Sequence, residues 1–287
     1  MTILVDSHTR LLIQGITGYQ GRYQSKAMME FGTKVVAGVR FGKGGQKVND
    51  IPVFNTVSEA VEVTGANTSC IFVPAPSCKD ATLEAIDAGL ETIVIVTERL
   101  PVLDAIHVVS VARAKGITLI GPNCPGVASP GKTKVGILPN KIFREGSVGL
   151  VSRSGTLTYE IVNAITEHKI GQSTCVGIGG DRVSGMNFVQ ILEMFEKDKQ
   201  TKKIVLVGEI GGTAEEEAAA YIKKSITKPV VAYIAGRTAP PDKRMGHAGA
   251  IITRGKGTAE SKMKALEDAG VKIAKFPTDV PELLGQV

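Results

Sequence analysis

The chain has 287 residues, 43% of them hydrophobic and 22% charged, and a formal net charge of +6. This composition is typical of a soluble globular protein of about two domains, and the basic balance suits polyanionic ligands or an acidic partner. Scattered basic residues, 5% aromatics and the absence of Trp disfavour a nucleic-acid-binding surface.

No apolar run in the sequence is long enough to cross a bilayer, so no membrane segment is predicted. The N-terminus lacks the pattern of a secretory signal, and the four cysteines form no CxxC pair. We therefore expect a cytoplasmic protein with reduced thiols, or a mitochondrial-matrix protein only if a transit peptide has been removed.

Short apolar runs alternate with helical patterns through the first 120 residues. Buried strands are predicted at residues 11–13, 35–36, 69–73, 92–96 and 117–120, and helices at residues 79–88 and 102–115. A turn-rich segment follows from Gly121 to about Gly146. We place a domain boundary at its start, which predicts domains 1–121 and 122–287.

The second half of the chain repeats this alternation. Strands are predicted at residues 148–151, 174–178, 204–208 and 230–234, and helices at residues 156–167, 187–196, 214–224 and 258–269. Strands that alternate with helices indicate parallel α/β sheets with right-handed crossovers. Ligands of such sheets bind beyond the carboxyl ends of the strands, so those ends are where we expect the chemistry.

The first strand is followed by Gly15-Ile-Thr-Gly18-Tyr-Gln-Gly21. Glycines between a strand and a helix let a phosphate approach the helix N-terminus, although a purely structural tight turn is the alternative. An NAD site would place an acid about 20 residues on, whereas this chain has Arg40 and Lys43 there. The pattern favours a ligand with an extra phosphate, either NADP or coenzyme A, unless both cations are solvated.

The strand-to-helix turn around Ser154 and Thr156 is a second candidate anion site, because free helix amides and the helix dipole favour negative charge. An ordinary N-cap is the alternative, and the two are compatible. Tyr159 lies one turn into that helix and belongs either to the site or to the core. Cys124 has no His or cation near it in sequence, which indicates a buried, inert thiol.

His247 lies among small residues in a long Gly/Pro-rich loop, Gly236 to Gly257. A neutral imidazole is a nucleophile near neutral pH, and phosphate is the candidate group. Glu209 ends a predicted strand among glycines and is the candidate carboxylate that fixes the tautomer of His247. We interpret Glu215–Glu217 as solvated acids in the first turn of a helix. The other histidines, at positions 8, 107 and 168, are interpreted as surface or packing residues.

Taken together, these segments resemble the α subunit of succinyl-CoA synthetase, also called succinate–CoA ligase. The resemblance covers essentially the whole chain. Its motifs occur in family order: GITGYQG, FGKGG, PVFNTV, VPAP, GPNCPG, VSRSGTLTYE, STCVGIGGD, ILEMFEKD, GEIGG, TAEEEAA and MGHAGAII.

The resemblance implies an N-terminal Rossmann-like coenzyme A domain and a C-terminal flavodoxin-like, doubly wound ligase domain. The coenzyme A contacts that it implies are Thr17, Gly18, Tyr19, Gln20, Lys43, Val96, Thr97 and Glu98. It implies that His247 is the phosphohistidine, Glu209 its orienting residue and Tyr159 a contact of the carboxylate substrate. The implied phosphate-binding residues are Ser154, Gly155 and Thr156, and no metal site is expected in this chain.

The implied reaction is the reversible conversion of succinate, coenzyme A and a nucleoside triphosphate to succinyl-CoA, nucleoside diphosphate and phosphate. The resemblance places ATP or GTP, with Mg, on an ATP-grasp β subunit, and Gly42–Gly45 is indeed no Walker P-loop. A related malate– or citrate–CoA ligase stays open, and so do a non-catalytic coenzyme A or dinucleotide sensor and an NADP oxidoreductase. Tyr19, Arg182 and Arg254 depart from the usual family pattern.

Overall fold

The computed structural model describes residues 2–240, 242–253 and 255–287, so Arg254 lies outside the described residues. The chain forms two compact units. The first comprises Leu4–Asn140 with Val183–Gly185, and the second comprises Lys141–Arg182 and Met186–Val287 with the residues before Leu4. Each unit contains parallel strands connected by helices, so the predicted α/β class is confirmed.

The first unit is built on a sheet of mainly parallel strands. They are β1 (Arg10–Gln14), β2 (Lys34–Val39), β3 (Lys47–Val48), β4 (Ile51–Phe54), β5 (Thr68–Ile71), β6 (Thr92–Ile95) and β7 (Thr118–Ile120). Their order is β3-β4-β2-β1-β5-β6-β7, and only the short β3 runs antiparallel to its neighbour. The chain moves to one side of β1 for β2 and to the other side for β5. The Rossmann-like arrangement is confirmed, and its topological switch point lies between β1 and β5.

Four helices connect these strands: α1 (Tyr19–Phe31), α2 (Val57–Thr64), α3 (Ala75–Asp87) and α4 (Val102–Ala114). Apolar residues of both strands and helices form the core. Leu12, Ile71 and Ile95 from the strands are fully buried, together with Val57 and Val108 from the helices. Each strand and helix predicted for the first 120 residues overlaps one of these elements.

The turn-rich segment after residue 121 contains an antiparallel hairpin, which the sequence patterns did not predict. Its strands are β8 (Gly126–Ser129) and β9 (Thr133–Gly136), and all of their residues are buried. A strand buried on both faces lacks the alternation of polar and apolar residues by which strands are recognised. Gly126 and Gly136 face each other in register, where an added Cβ on Gly126 would lie 2.0 Å from the Val135 carbonyl oxygen.

The second unit contains five parallel strands in the order β14-β13-β12-β10-β11. They are β10 (Glu145–Ser152), β11 (Gln172–Gly177), β12 (Lys203–Glu209), β13 (Val230–Ala235) and β14 (Lys272–Ala274). Counted along the chain, this is the order 2-1-3-4-5, so the predicted flavodoxin-like arrangement is confirmed. The switch point lies between β10 and β12.

Helices cover both faces of these strands, as a doubly wound sheet requires. They are α5 (Gly155–Glu167), α6 (Phe188–Lys197), α7 (Ala214–Ser225), α8 (Ala259–Asp268) and α9 (Val280–Gly285). The central strands supply apolar side chains to the core, where Leu150, Val205 and Val207 are fully buried. Within the described residues, no helix combines the length and the apolar character that crossing a bilayer would need.

Candidate active site at the strand ends

The glycine-rich turn of the first unit is shaped by close backbone packing. Gly15 follows β1 with a φ of +86°, and its N–H donates to the Val39 carbonyl at 3.0 Å. A Cβ on Gly21 would lie 2.3 Å from the Gly15 carbonyl oxygen, so Gly21 lets α1 pack against the turn. Gly18 is exposed and is the N-cap of α1, with no side-chain cap. Two of the three glycines are therefore explained by packing, and Gly18 leaves the helix N-terminus open to a ligand.

The other residues expected to contact coenzyme A follow neighbouring strands of the same sheet. Lys43 lies after β2 in an exposed loop, and Asn55 Oδ1 holds that loop by accepting from the N–H groups of Gly42 (2.9 Å) and Gly44 (3.1 Å). Thr97 lies just after β6, and its Oγ1 donates to the Val73 carbonyl at 2.7 Å. Because β1, β2 and β6 are parallel, these residues share the carboxyl edge of the sheet. Asn55 lies in the PVFNTV motif, but it was not singled out from the sequence because no strand was predicted before it.

The remaining predicted contacts sit at the same edge. Thr17 and Gln20 flank the start of α1, where Gln20 is exposed and Thr17 is half-buried. Tyr19 is 80% exposed. Val96 is half-buried after β6, and the exposed Glu98 forms a surface ion pair with Arg99 at 3.8 Å. That these side chains contact coenzyme A stays a prediction.

In the second unit, the start of α5 follows directly from the end of β10. Ser154 is the N-cap: its Oγ accepts from the Leu157 N–H at 3.4 Å. The backbone N–H groups of Gly155 and Thr156 have no hydrogen-bond partner among the described residues. A cap and an open anion site therefore coexist here. Tyr159 is half-buried on the same helix, and its contact with a substrate stays a prediction.

Glu209 and His247 meet at the carboxyl end of β12. Nδ1 of His247 lies 2.8 Å from Oε2 and 3.0 Å from Oε1 of Glu209. The Glu209 side chain is 8% exposed, whereas that of His247 is 27% exposed. Nε2 of His247 has no hydrogen-bond partner within the part of the chain that the structure describes. The pairing predicted from sequence is present, with the second ring nitrogen left available.

The hydrogen bond that His247 donates to Glu209 raises the pKa of His247 above its usual 6.5. Burial of the ring opposes this change, and the charge of Glu209 adds to it. A carboxylate at Nδ1 also holds the proton of the neutral ring on that nitrogen, which leaves the lone pair on Nε2. The ring can therefore act as a nucleophile through Nε2 once it is neutral.

The prediction that Glu215–Glu217 are solvated is wrong for Glu215, which is fully buried. Glu215 accepts from Arg153 Nη1 at 3.2 Å and forms a short contact with Nζ of the fully buried Lys262. Arg153 in turn lies 3.6 Å from Glu209. Sequence reasoning missed Arg153, Glu215 and Lys262 because their partners lie far apart along the chain. Glu217, the last acid of the run, is exposed as expected.

The other titratable residues agree with their sequence-based interpretation. His8, His107 and His168 are exposed. Cys124 is buried, and its Sγ donates to the Ile95 carbonyl at 3.2 Å. The exposed Arg182 donates from Nε to the carbonyl of Ala248 at 3.3 Å, which places its stem beside the His247 loop.

Comparison with known proteins identifies both halves of the chain. Residues 6–99 match the family model described as CoA binding domain, and residues 151–272 match the one described as CoA-ligase. Succinate–CoA ligase [ADP-forming] subunit alpha 2 of Archaeoglobus fulgidus is 56% identical over 287 residues and is covered completely, as is this chain. The α subunit of the same name from Aquifex aeolicus is 55% identical, with 100% of this chain and 95% of that protein covered.

This chain belongs to the succinate–CoA ligase α-subunit family. The family predicted from the motifs is thereby confirmed. A solved structure of ATP citrate lyase from Methanothrix soehngenii, in complex with citrate and coenzyme A, is 27% identical with a TM-score of 0.88. It matches 99% of this chain, which spans 50% of the length of that lyase chain. Residues 100–150 fall in neither family model, so the boundary at 121/122 stays a prediction.

In this α-subunit family member, Gly180 leaves the space that the His247 ring occupies. A Cβ at position 180 would lie 2.3 Å from Cγ and 2.4 Å from Nδ1 of His247. We expect Gly180→Ala to push the ring away from Glu209. Phosphorylation of His247 should fall by about 100-fold, because a displacement of about 1 Å has an effect of this order on a reacting group.

The measurement is the initial rate of phosphohistidine formation. Gly285→Ala is the matched control, because an added Cβ at the end of α9 meets nothing within 4 Å. A Gly180→Ala variant that is phosphorylated at the unmodified rate would show that the ring does not need its position in this structure.

Proposed function

We propose that this chain is the α subunit of a succinate–CoA ligase that carries a phosphoryl group on Nε2 of His247. The observation that carries the proposal is the 2.8 Å contact between Nδ1 of His247 and Oε2 of Glu209, which leaves Nε2 as the available nitrogen. The ligase names of relatives that are 55–56% identical over the whole chain support succinate as the acid and ATP as the nucleotide.

In the first step, the lone pair of His247 Nε2 attacks the γ-phosphorus of a nucleoside triphosphate. The N–P bond forms as the P–O bond to the diphosphate breaks. The proton on Nδ1 stays in its hydrogen bond with Glu209, whose negative charge balances the positive charge that the imidazole acquires. Stabilisation of developing charge by fixed groups is the main contribution that a protein makes to phosphoryl transfer.

In the second step, a carboxylate oxygen of succinate attacks the same phosphorus and the N–P electron pair returns to Nε2. The product is succinyl phosphate. We propose that the free N–H groups of Gly155 and Thr156, at the positive end of the α5 dipole, bind the phosphoryl oxygens. Ser154 shapes this helix start as its N-cap, and Tyr159 is the proposed contact of the acid.

In the third step, the sulfur of coenzyme A attacks the succinyl carbonyl. The C–S bond forms, the C–O bond to phosphate breaks, and the thiol proton leaves with the phosphate. The residues at the carboxyl edge of the first sheet, among them Lys43 and the start of α1, are the proposed coenzyme site. The triphosphate and its Mg²⁺ are proposed to bind an ATP-grasp β subunit.

The test is to combine the chain with the β subunit of the same organism and γ-labelled ATP, with no acid present. The proposal expects an acid-labile, base-stable label on residue 247, located by mass spectrometry. Succinate with coenzyme A should discharge the label and yield succinyl-CoA. A protein that binds coenzyme A without taking up label would be a sensor. A label that only malate or citrate discharges would identify a different acid.

We expect Lys43→Ala to weaken coenzyme A binding by roughly 10-fold, because a charge-assisted contact with phosphate has about that effect on affinity. Phosphorylation of His247 should be unchanged. Calorimetric titration with coenzyme A measures the affinity. Lys115→Ala is the matched control: it removes an exposed charge before β7, at the opposite edge of the same sheet. Equal affinities of the two variants would contradict a coenzyme role for Lys43.

A further inference from the structure

Five charged residues form a connected set beneath His247, which we call the Glu209 network: Arg153, Glu209, Glu215, Glu216 and Lys262. Three carboxylates and two cations make up the set, so it carries one net negative charge. Burying charges is unfavourable unless each is paired and hydrogen-bonded. Four of the five are at most 9% exposed, so these buried charges depend on one another for their pairing.

Arg153 connects the two buried acids of this network. Its Nη1 lies 3.2 Å from Glu215 Oε1 and donates to the Gly211 carbonyl at 3.3 Å. Its Nη2 lies 3.6 Å from Oε1 of Glu209. The planar guanidinium therefore reaches two carboxylates at once, through two different nitrogens.

Glu215 forms hydrogen bonds with both Arg153 and the backbone of Glu209. The oxygen that accepts from Arg153, Oε1, also accepts from the backbone N–H of Glu209 at 3.2 Å. Lys262 fixes the other oxygen of Glu215 and lies 2.9 Å from Glu216. The Glu209 backbone and the Arg153 guanidinium are thus positioned by one fully buried carboxylate.

The loop that carries His247 is built to admit the guanidinium. A Cβ on Gly249 would lie 2.8 Å from Arg153 Nη2, so the glycine leaves room for that nitrogen. His247 and Arg153 then share one carboxylate, since Nδ1 lies 3.0 Å from the same Oε1 that faces Nη2.

We infer that Arg153 is a positioning residue that limits the basicity of His247 by sharing the charge of Glu209, and that Glu215 holds Arg153 in place for this purpose. The inference rests on the proposed function, since basicity matters because Nε2 must be unprotonated to attack phosphorus. Without Arg153, the full charge of Glu209 would act on the imidazole and favour the protonated, non-nucleophilic ring.

The charges around His247 support this role. Glu209 on β12 and Asp181 after β11 raise the pKa of His247, whereas Arg153 after β10 lowers it. Arg182 also lies beside the loop, through its hydrogen bond to Ala248. Glu215 on α7 pairs with Arg153, and Lys262 on α8 pairs with Glu215. These two residues therefore influence His247 indirectly, through Arg153. Arg153 is the cation that contacts the carboxylate of the pair directly.

The experiment uses the full chain with ¹⁵N-labelled histidine and follows the His247 ring by NMR as a function of pH. The same samples are phosphorylated with phosphoramidate, which needs neither a nucleotide nor a partner subunit. For Arg153→Met we expect the midpoint of the His247 titration, the pH at which half of the rings are protonated, to move to higher pH. Phosphorylation at pH 7 should fall by on the order of 10-fold, which is the loss of neutral ring that a midpoint about one pH unit higher produces. The rate should recover at a pH above the new midpoint.

Two further variants separate this role from a structural one. Arg153→Lys keeps the charge and should return the midpoint towards that of the unmodified chain. Glu215→Gln keeps an oxygen for Arg153 but removes its compensating charge, so the midpoint should move to lower pH. Lys224→Met, which removes an exposed charge from α7, should leave the midpoint unchanged.

An unchanged midpoint in folded Arg153→Met, or a rate that is lowered equally at every pH, would overturn the inference. Circular dichroism establishes that each variant is folded. If the methionine variant is not, Glu215→Gln keeps the test decisive, because a titration midpoint of His247 that does not move to lower pH in that variant would also contradict the inference. The NMR midpoint is independent of enzymatic turnover. A failed ATP-labelling experiment would therefore reject the proposed function without affecting the result for Arg153.

Discussion

Replacing His247 with alanine is expected to abolish phosphorylation of the chain and to lower succinyl-CoA formation by at least about 10⁴-fold, the scale on which loss of a covalent nucleophile acts. The proposed reaction passes the phosphoryl group through Nε2 at every turnover. Without that nitrogen, succinate would have to attack the triphosphate directly, in a site arranged for two successive transfers. The measurements are label incorporation from γ-labelled ATP and the steady-state rate of thioester formation.

Coenzyme A binding is the internal control for this variant. The proposed coenzyme residues belong to the first unit, whereas His247 belongs to the second, so affinity should change by less than about twofold. His107→Ala and His168→Ala remove exposed histidines and should label normally. Substantial label on His247→Ala would show that the phosphoryl group resides elsewhere.

The second large effect is expected for Glu209→Gln. Loss of the carboxylate removes the group that holds the proton on Nδ1 and that, in the proposed reaction, balances the charge of the phosphorylated ring. Phosphorylation at pH 8 should fall by about 10³-fold or more, since replacing the acid behind the catalytic histidine of a serine protease by its amide lowers turnover by about 10⁴-fold. Glu217→Gln is the matched control, because Glu217 is exposed on the same helix that carries Glu215.

The pH dependence of this variant has a definite sign. The hydrogen bond to Glu209 raises the pKa of His247 in the folded chain above 6.5. The neutral fraction of the ring therefore rises with pH through that raised value, and in Glu209→Gln the midpoint should move down towards 6.5. The phosphorylation rate of the unmodified chain divided by that of Glu209→Gln should therefore increase with pH until the His247 ring is neutral in both proteins. A ratio that shrinks with rising pH would contradict the assignment.

The same shift predicts how stability depends on pH. Because the folded pKa of His247 is raised, the stabilisation from its pair with Glu209 is fully present below the unfolded value of 6.5. It is lost as the pH rises through the folded value. The difference in free energy of unfolding between the unmodified chain and Glu209→Gln should accordingly decrease over that range, as measured by chemical denaturation.

The predicted strands are present in the structure because each is a short apolar run, a pattern that is visible in the local sequence. The runs at residues 92–96 and 204–208 became β6 (Thr92–Ile95) and β12 (Lys203–Glu209). The hairpin at Gly126–Ser129 and Thr133–Gly136 was missed because both of its faces are buried and its glycines are indicative only of turns. Its structure is decided by neighbours that are distant in sequence.

The candidate site likewise contains residues that the sequence predicted and residues that only the structure identified. His247 and Glu209 were recognisable because each stands among glycines at a position where strand ends or loops allow chemistry, and their 2.8 Å contact agrees with the predicted pairing. The sequence was misleading for Glu215. Acids in the first turn of a helix are ordinarily solvated, and it is the folded chain that brings Lys262 to this one from 47 positions away.

The order of residues was enough to establish the α/β class and the family, and to predict His247 as the nucleophile with Glu209 as its carboxylate. These depend on short segments, where backbone geometry and hydrophobic burial act locally. The charges that surround the His247–Glu209 pair could be read only from the folded chain. The strand order places β12 next to β10, and so brings Arg153 to Glu209, because partners across a parallel sheet are set by topology and not by separation along the chain.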